Sequence, residues 1–236
     1  MKKITLILFL FLTVIGFSQS NPIEKENNRN WDNTMFAGNK FTYGSSDKWR
    51  HSAEFQTRYK DDLGALDNWL VEYAGTYLYK KNWEIVPDFR FTRKPERYEY
   101  RPGIGVIYKS INEEKRTQLV HQVKYQYDIR TEGEPNSHGL RYVAFYNKVI
   151  NDELVITALA GGLFEFGEEF NGFLGLRTGV SAAYVINKAH SVNIGYFYGL
   201  INEKTNDYTN VGVFSLSLII NISRDYKYLP AKYFTL

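Results

Sequence analysis

The chain has 236 residues, no cysteine and a formal charge of +3, with 29 Lys and Arg against 26 Asp and Glu. The absence of Cys excludes a disulfide-stapled scaffold, a Cys-ligated zinc site and a thiol nucleophile. The even charge balance argues against a dedicated nucleic-acid binder, because such proteins carry a clear basic excess. Aromatic residues make up 17% of the chain and charged residues 23%, which excludes an extended disordered chain.

The N-terminus has the pattern of a secretory signal peptide. Lys2 and Lys3 precede an apolar run, and small residues follow at Gly16 and Ser18, which predicts cleavage between Ser18 and Gln19. The run is shorter than the roughly 20 residues with which a helix spans a bilayer. We therefore expect an exported protein whose mature form carries a charge of +1. The expected organisation is a signal peptide over 1–18, a short polar segment over 19–30 and a single β-barrel domain over 31–236.

From residue 31 onward, apolar and polar residues alternate over stretches of about ten residues, a period of two that indicates β-strands. In the stretch 48–59, for example, Trp49 and Phe55 fall on one face while Glu54 and Arg58 fall on the other. No helical period is sustained past residue 18. The predicted strands, in chain order, span residues 33–43, 48–59, 68–80, 83–92, 98–108, 117–128, 139–150, 154–166, 172–186, 190–201 and 209–222.

The connections between these strands alternate in length. GSSD, KN, NDE and NKA are tight, whereas KDDLGALDN, IRTEGEPNSHG and NEKTNDYT are long and polar, and KSINEEKR is longer than its tight rim predicts. This alternation predicts an all-β fold, a transmembrane antiparallel up-and-down β-barrel of about 10 to 12 strands with periplasmic turns and extracellular loops. Because odd strand numbers are uncommon in bacterial single-chain barrels, we expect 10 or 12 strands rather than 11.

A secreted β-sandwich or a lipocalin-like barrel would show the same alternation with its apolar face inside. Two features favour the membrane barrel. The strands exceed the usual soluble length of about 5 to 6 residues and match the roughly 9 to 11 that a tilted strand needs to cross a bilayer. Aromatic residues also lie near the strand ends, as interfacial girdles require: Trp31, Trp49, Tyr59, Trp69, Tyr77, Tyr79, Trp83, Tyr98, Tyr108, Tyr184 and Tyr208.

The order of these segments resembles a family of Gram-negative outer-membrane barrel proteins known as domain of unknown function 2490 (DUF2490). The resemblance covers residues 31 to 222 and is carried by Trp31, by Glu54, Gln56 and Arg58 in EFQTR, by Glu99 and Arg101, by His121 and Arg130, by Arg141, and by Gly179, Tyr184, Gly195 and Tyr196. The chain departs from the family at Val123, Lys124 and Tyr127, which dilute a charged central strand pair, and in the 14 residues after the last predicted strand. The resemblance implies a location and a fold, and no established activity.

A Ser/His lipid hydrolase would need its nucleophile within hydrogen-bond reach of its base. None of His51, His121, His138 and His190 has a Ser two residues away on the same strand face, although a cross-strand pairing stays open. We interpret His51 and His121 as interfacial side chains on the lipid-facing wall. The spacing of His and carboxylates predicts no metal site, and we expect no cofactor.

The inward face is the informative part of the sequence. It carries seven cations, at Arg50, Arg58, Arg90, Arg101, Lys124, Arg141 and Arg177, and seven acids, at Glu54, Glu72, Glu84, Asp88, Glu99, Asp128 and Glu165. We expect a near-neutral lumen filled by a paired charge network, because buried charges require partners. A one-signed constriction that selects anions or cations is not visible.

These features predict a non-enzymatic outer-membrane barrel of a Gram-negative bacterium with a structural or narrow-channel role. The alternative is an outer-membrane lipid- or lipopolysaccharide-modifying enzyme with a site at the rim, such as a lipid hydrolase. The expected partners are outer-membrane lipids, lipopolysaccharide, and the export and barrel-assembly machinery. We expect no nucleic acid, and the sequence does not identify a small-molecule ligand.

Overall fold

A computed structural model of the protein describes residues 31–187, 189–202 and 208–222, which form one closed sheet. The predicted signal peptide, the Ser18–Gln19 cleavage position, the segment 19–30 and the residues after 222 lie outside the described residues. Within the described ranges, no helix is long and apolar enough to cross a bilayer.

All eleven predicted strands are present, and several run longer than expected. β3 begins three residues earlier than predicted and β5 ends four residues later. The strands are β1 (Trp31–Gly44), β2 (Trp49–Lys60), β3 (Ala65–Lys80), β4 (Trp83–Arg93), β5 (Tyr98–Asn112), β6 (Thr117–Arg130), β7 (Ser137–Val149), β8 (Leu154–Gly167), β9 (Asn171–Asn187), β10 (His190–Asn202) and β11 (Tyr208–Asn221). This confirms the all-β, up-and-down barrel.

The barrel closes between its first and last strands. Each strand pairs with its neighbours in chain order, and β1 completes the cylinder by pairing with β11 in parallel, from Trp31 opposite Asn210 to Thr42 opposite Asn221. The expectation of an even strand number is therefore wrong for the described barrel. In an up-and-down barrel of eleven strands the first and last strands run in the same direction, and a parallel ladder can close the sheet between them.

The connections are more alike than the sequence suggested. On one rim, called here the first rim, the connections 45–48, 81–82, 113–116 and 150–153 have two to four residues. On the opposite, second rim, the connections 61–64, 94–97, 131–136 and 168–170 have three to six. Two of the expected long loops are shorter because residues at their ends, such as Ala65 and Ser137, continue the strand ladder, and the third, NEKTNDYT, lies mostly outside the described residues.

The outer wall of the barrel is apolar. Val71, Ile104, Val123, Val180 and Ile194 alternate with inward residues and leave between 42% and 57% of their surface exposed. A contiguous apolar exterior of this extent is not tolerated on a monomeric soluble protein, and it matches the lipid-facing band of a membrane barrel. Since the apolar face lies outside, a soluble sandwich or lipocalin-like barrel is excluded.

Aromatic rings cluster near both rims of this wall. At the first rim, the centroids of Trp49 and Tyr77 lie 5.0 Å apart and those of Trp83 and Tyr108 lie 4.9 Å apart. At the second rim, Trp31 stacks on Tyr198 with centroids 6.0 Å apart. The predicted girdle residues are all exposed or half-exposed. Rings with one apolar body and one polar edge are suited to the boundary between lipid and water.

The register of β6 gives a direct test of the lipid-facing wall. Val123 lies in the middle of β6 and Leu119 lies near its first-rim end, both on the outer face. Val123→Arg should lower the free energy of unfolding by about 2 to 4 kcal/mol, because it places a cation at the bilayer midplane, whereas Leu119→Arg should cost about 0 to 1 kcal/mol. Urea unfolding from lipid vesicles, followed by tryptophan fluorescence, measures both. Equal small costs would place Val123 outside the hydrocarbon.

Candidate functional site

The inward side chains change character along the strands β4 to β8. On β4, moving from the first rim to the second, they are Glu84, Val86, Asp88 and Arg90. Neighbouring strands follow the same order, with a polar residue near the first rim, one or two apolar residues next, and charged residues toward the second rim. The interior is therefore layered, and the layers follow from which residue types occupy successive alternate positions of each strand.

The apolar layer forms a belt across the lumen. Its buried members come from seven of the eleven strands, and two partly buried residues packed against them bring the number to nine. Ile107 and Val213 have no exposed surface. We call this cluster the apolar belt: Val86, Ile107, Val120, Val143, Phe145, Leu159, Phe197, Val211 and Val213, with Phe36 and Ala74 packed against it. The nine buried side chains of the belt leave at most 6% of their surface exposed, so they pack closely and obstruct the lumen at this level.

A small polar layer lies between the apolar belt and the first rim. Lys109 on β5 forms an ion pair with Glu84 on β4. Nearby, Asn147 donates a hydrogen bond to Gln118 over 3.1 Å and accepts one from Thr157 over 2.7 Å. The polar groups of these side chains satisfy one another, as buried polar groups require.

The remaining inward acids pair with cations in the lumen and toward the second rim. Arg90 holds Glu72 with two contacts of 2.7 Å, and Arg90 is only 1% exposed. Lys124 meets Asp88 at 2.6 Å. The other pairs are Arg101 with Asp128, Lys40 with Glu54 at 3.3 Å, Arg130 with Glu165 at 3.6 Å, and Glu99 with both Lys94 at 2.9 Å and Arg97 at 3.0 Å. Every acid in the predicted set has a cationic partner.

A glycine allows one of these pairs to form across an intervening strand. Asp88 is on β4 and Lys124 on β6, and Gly103 of β5 lies between them. A Cβ atom at Gly103 would stand 2.8 Å from Asp88 Oδ1 and 2.8 Å from Lys124 Cε, closer than such atoms approach. The missing side chain therefore leaves the space in which the two charged groups meet.

The structure adds cations to the predicted charge network of the lumen. Three pairs lie within the predicted set, namely Glu72 with Arg90, Asp88 with Lys124 and Asp128 with Arg101. The other four acids use cations that the sequence analysis missed. Of these cations Lys40, Lys109 and Arg130 are inward residues, so the predicted set of seven cations left out three inward partners.

Three of the missed residues carried a sequence signal. Lys109 and Arg130 continue the inward alternation of their strands, but the predicted strands stopped at 108 and 128. Lys40 was inside a predicted strand, in step with the inward positions of β1, and was overlooked. Lys94 and Arg97 lie in the connection 94–97, where the alternation of residue types does not indicate whether a side chain faces the lumen.

The remaining four predicted cations have other surroundings. Arg50 and Arg141 are buried and engaged with neighbouring groups. Arg58 donates from Nε to Gln56 Oε1 over 2.7 Å and its guanidinium lies 4.3 Å from the centroid of the Phe36 ring. The guanidinium of Arg177, from the opposite part of the wall, lies 5.3 Å from the same centroid.

The outer wall holds one serine–histidine contact that a search along single strands misses. Ser45 Oγ, in the connection 45–48, lies 2.9 Å from His51 Nε2, and His51 Nδ1 lies 2.7 Å from the Tyr73 hydroxyl. The same histidine–tyrosine contact recurs without serine on this wall, between His121 and Tyr142 at 2.8 Å and between His138 and Tyr125 at 2.6 Å. In all three contacts the tyrosine hydroxyl gives the imidazole a hydrogen-bond partner on an otherwise apolar wall.

Among the described residues, no group of three or more His, Asp or Glu is placed to hold a metal ion. The seven predicted inward acids are each paired with a Lys or Arg. The candidate functional site is therefore the layered lumen itself.

Comparisons with known proteins agree with the fold. The family model described as "Protein of unknown function (DUF2490)" matches residues 28–210. No curated protein matches the chain. Among solved structures, a NanC porin has a TM-score of 0.50 at 12% sequence identity, covering 72% of this chain and 86% of that chain. At this identity the likeness concerns the fold alone.

Two structures of the KdgM porin also match, one of them in complex with disordered oligogalacturonate. Each has a TM-score of 0.46 at 11% identity. The complex covers 72% of this chain and 84% of that chain, and the other structure covers 73% and 86%.

The buried pair of Glu72 and Arg90 gives a test of the interior. Glu72→Gln keeps the shape of the side chain and leaves the Arg90 guanidinium without its anion, so it should lower the free energy of unfolding by about 3 to 5 kcal/mol. Asp152→Asn is the control, because it removes an exposed pair with Arg116 and should cost about 0 to 1 kcal/mol. Urea titration of the folded barrel in detergent micelles measures both. A cost for Glu72→Gln no larger than the control would mean that water reaches Arg90.

Proposed function

This chain belongs to the DUF2490 family, and we propose that it is a non-enzymatic outer-membrane barrel with an obstructed lumen, serving a structural role or acting as a narrow channel. The observation that carries the proposal is the apolar belt, which crosses the lumen between a polar layer and a charge network. Hydrophobic constrictions close pores by excluding water, so ions lose their hydration at this level.

The charge network supports the same proposal from the other side of the apolar belt. Its acids are paired with cations by side chains long enough to cross from one strand to another, as Asp88 and Lys124 do over β5. Such pairs fill space and fix the strands relative to each other. A barrel of this design gains rigidity from its interior and offers little continuous water path.

The location of the protein is part of the proposal. The apolar outer wall and the aromatic rings at both rims suit a lipid bilayer. We propose that residues 1–18 direct export, that cleavage after Ser18 leaves a short polar segment over 19–30, and that the single barrel domain over 31–236 is inserted in the outer membrane of a Gram-negative bacterium. Its partners would be outer-membrane lipids, lipopolysaccharide, and the export and barrel-assembly machinery.

The porin-like fold supports the channel form of the role. The NanC and KdgM structures are named as porins, and a barrel of related shape has a wall that can surround a path. In this chain such a path would require rearrangement of the apolar belt, since Phe145 and Phe197 are 4% and 3% exposed. If the protein acts as a channel, small solutes would pass through it.

Planar-bilayer recording tests the proposal. The unmodified protein should give no steady conductance, because the apolar belt excludes water. The double variant Phe145→Ala and Phe197→Ala removes two of the large rings of the belt and should give discrete openings. The matched control is Phe55→Ala with Phe214→Ala, which removes two rings from the outer wall, where they are 44% and 40% exposed.

The control variant should remain closed, since its lumen is unchanged. A large, steady conductance from the unmodified protein would contradict the obstructed lumen and would favour an open porin. Closed behaviour of the double belt variant, in protein that folds normally, would show that the belt is not what obstructs the lumen.

A second candidate function is favoured by the contact of Ser45 with His51. A lipid- or lipopolysaccharide-modifying enzyme with a rim site would use Ser45 as nucleophile and His51 as base, with the Tyr73 hydroxyl orienting the ring. The recurrence of the histidine–tyrosine contact at His121 and His138 without serine speaks for an interfacial role instead.

Labelling with a fluorophosphonate probe distinguishes these roles. We expect no labelling of the folded protein in mixed phospholipid micelles, because the serine lies in a turn whose described contacts do not include a set of donors for an oxyanion. The variants are Ser45→Ala and, in the same turn, Ser46→Ala. Labelling that Ser45→Ala abolishes and Ser46→Ala retains would support the enzyme and overturn the non-enzymatic proposal.

A further inference from the structure

Two arginines of the lumen stand apart from the paired network. The seven inward acids are each matched by a lysine or arginine, and among the described residues neither Arg58 nor Arg177 has a carboxylate within 4.0 Å. Arg58 Nη2 and Arg177 Nη1 are shielded from water and have no hydrogen-bond partner within that part of the chain. A guanidinium that gives up water without a partner is energetically unfavourable.

The two guanidinium groups converge on one aromatic ring. Arg58 reaches from β2, where it lies directly opposite Phe36 of β1, and Arg177 reaches from β9. Their guanidinium carbons lie 4.3 Å and 5.3 Å from the centroid of the Phe36 ring. Cation–π contact with Phe36 offsets part of the cost, but it gives no hydrogen-bond acceptor to either fork of N–H groups.

The surroundings increase the positive potential at this point. The charges of Arg90, Arg177 and Arg101 act on Arg58, and Asp67, which also pairs with Lys60 at 3.6 Å, opposes them more weakly. The acids nearest to Arg90 and Arg101 are already engaged, Glu72 with Arg90 and Asp128 with Arg101. Arg58 and Arg177 are also only half-buried, so part of each residue is accessible to a solute.

We propose that Arg58 and Arg177, which both contact the Phe36 ring, form an anion-binding site in the lumen for a molecule that carries a carboxylate or phosphate group. Two planar forks of N–H donors match the oxygen atoms of such a group, and each can bind them in a bidentate way. One bound oxyanion would supply the missing acceptors and reduce the repulsion between the two cations. The site lies beside the apolar belt, and binding there does not require the lumen to conduct.

Binding can be measured with two simple probes. The folded barrel in zwitterionic detergent is titrated against inorganic phosphate, followed by the phosphorus line width, and against acetate, followed by the carboxylate carbon line width. Acetamide is the neutral control for acetate. We expect saturable broadening of phosphate and acetate, competition between the two, and none with acetamide.

The variants Arg58→Gln and Arg177→Gln each remove one fork, and each should weaken binding about tenfold, the loss expected for hydrogen bonds to a charged group. The double variant should abolish saturable broadening. Arg116→Gln, an exposed arginine in the connection 113–116, is the matched control and should leave binding unchanged. Because Arg58 and Arg177 lack carboxylate partners, the double variant should fold at least as well as the unmodified barrel, in contrast to Glu72→Gln.

The pair Arg58→Lys and Arg177→Lys keeps both charges and removes the forks, so it should bind more weakly than the unmodified protein. If the glutamine variants do not fold, this lysine variant still allows the contribution of the two guanidinium groups to binding to be measured. Absence of saturable broadening with the unmodified protein would overturn the proposal, as would equal binding by the unmodified protein and the double glutamine variant. Neither result depends on whether the lumen conducts.

Discussion

A backbone that passes through hydrocarbon has no water to bind, so every N–H and C=O group of the wall needs a partner in a neighbouring strand. In this barrel the requirement is hardest to meet between β1 and β11. Because the number of strands is odd, these two neighbouring strands run in the same direction. The twelve residue pairs of the parallel ladder, from Trp31 with Asn210 to Thr42 with Asn221, meet this requirement. Contacts outside the regular ladder add to the closure, with Ile222 N donating to Thr42 O and the Thr42 hydroxyl contacting Asn221.

Closure of the wall decides what the interior must do. Once every second side chain points into an enclosed space, each charge there needs a partner, and each empty volume needs a side chain or water. In this chain, paired charges of both signs lie toward the second rim, and Val, Ile, Leu and Phe side chains fill the apolar belt. The inward glycines adjust the fit, as Gly103 does beneath Asp88 and Lys124. The lumen is consequently a packed interior, and Arg58 and Arg177 are conspicuous because the same logic leaves them without an acid.

The strands and their faces were predictable because a period of two is a local property. The alternation around Trp49 and Phe55 identified the strand and separated its two faces without knowledge of neighbouring strands. The lipid-facing side was assigned from strand length and from the aromatic residues near the strand ends. Whether the barrel has an odd or an even number of strands was not predictable in this way, since the number depends on how β1 and β11 pair. The prediction of long loops was wrong for a related reason. Polar residues such as Ser137 continue a ladder when a partner strand is available, and their own sequence does not reveal it.

The site was predictable as a set of inward charges, but the partners of those charges were not. Asp88 finds Lys124 two strands away, and Glu84 finds Lys109 at a position just past the predicted strand end. Such pairings depend on strand register and tilt, which arise from the closed sheet as a whole. The apolar belt was not predicted, because residues such as Val86, Val120 and Phe197 are isolated apolar side chains on otherwise polar strand faces. Its continuity across nine strands appears only when the sheet is closed.

The central claim is that β6 separates lipid on one side from a packed, dry interior on the other. The chain has no native cysteine, so single cysteines along β6 can each carry one spin label without a background signal. Labels at Leu119→Cys, Val123→Cys and Tyr125→Cys should collide with oxygen dissolved in the lipid, whereas labels at Val120→Cys, Gln122→Cys and Lys124→Cys should be inaccessible both to oxygen and to a water-soluble nickel complex. Ready access of the nickel complex to the second set would show a water-filled pore and would contradict the account.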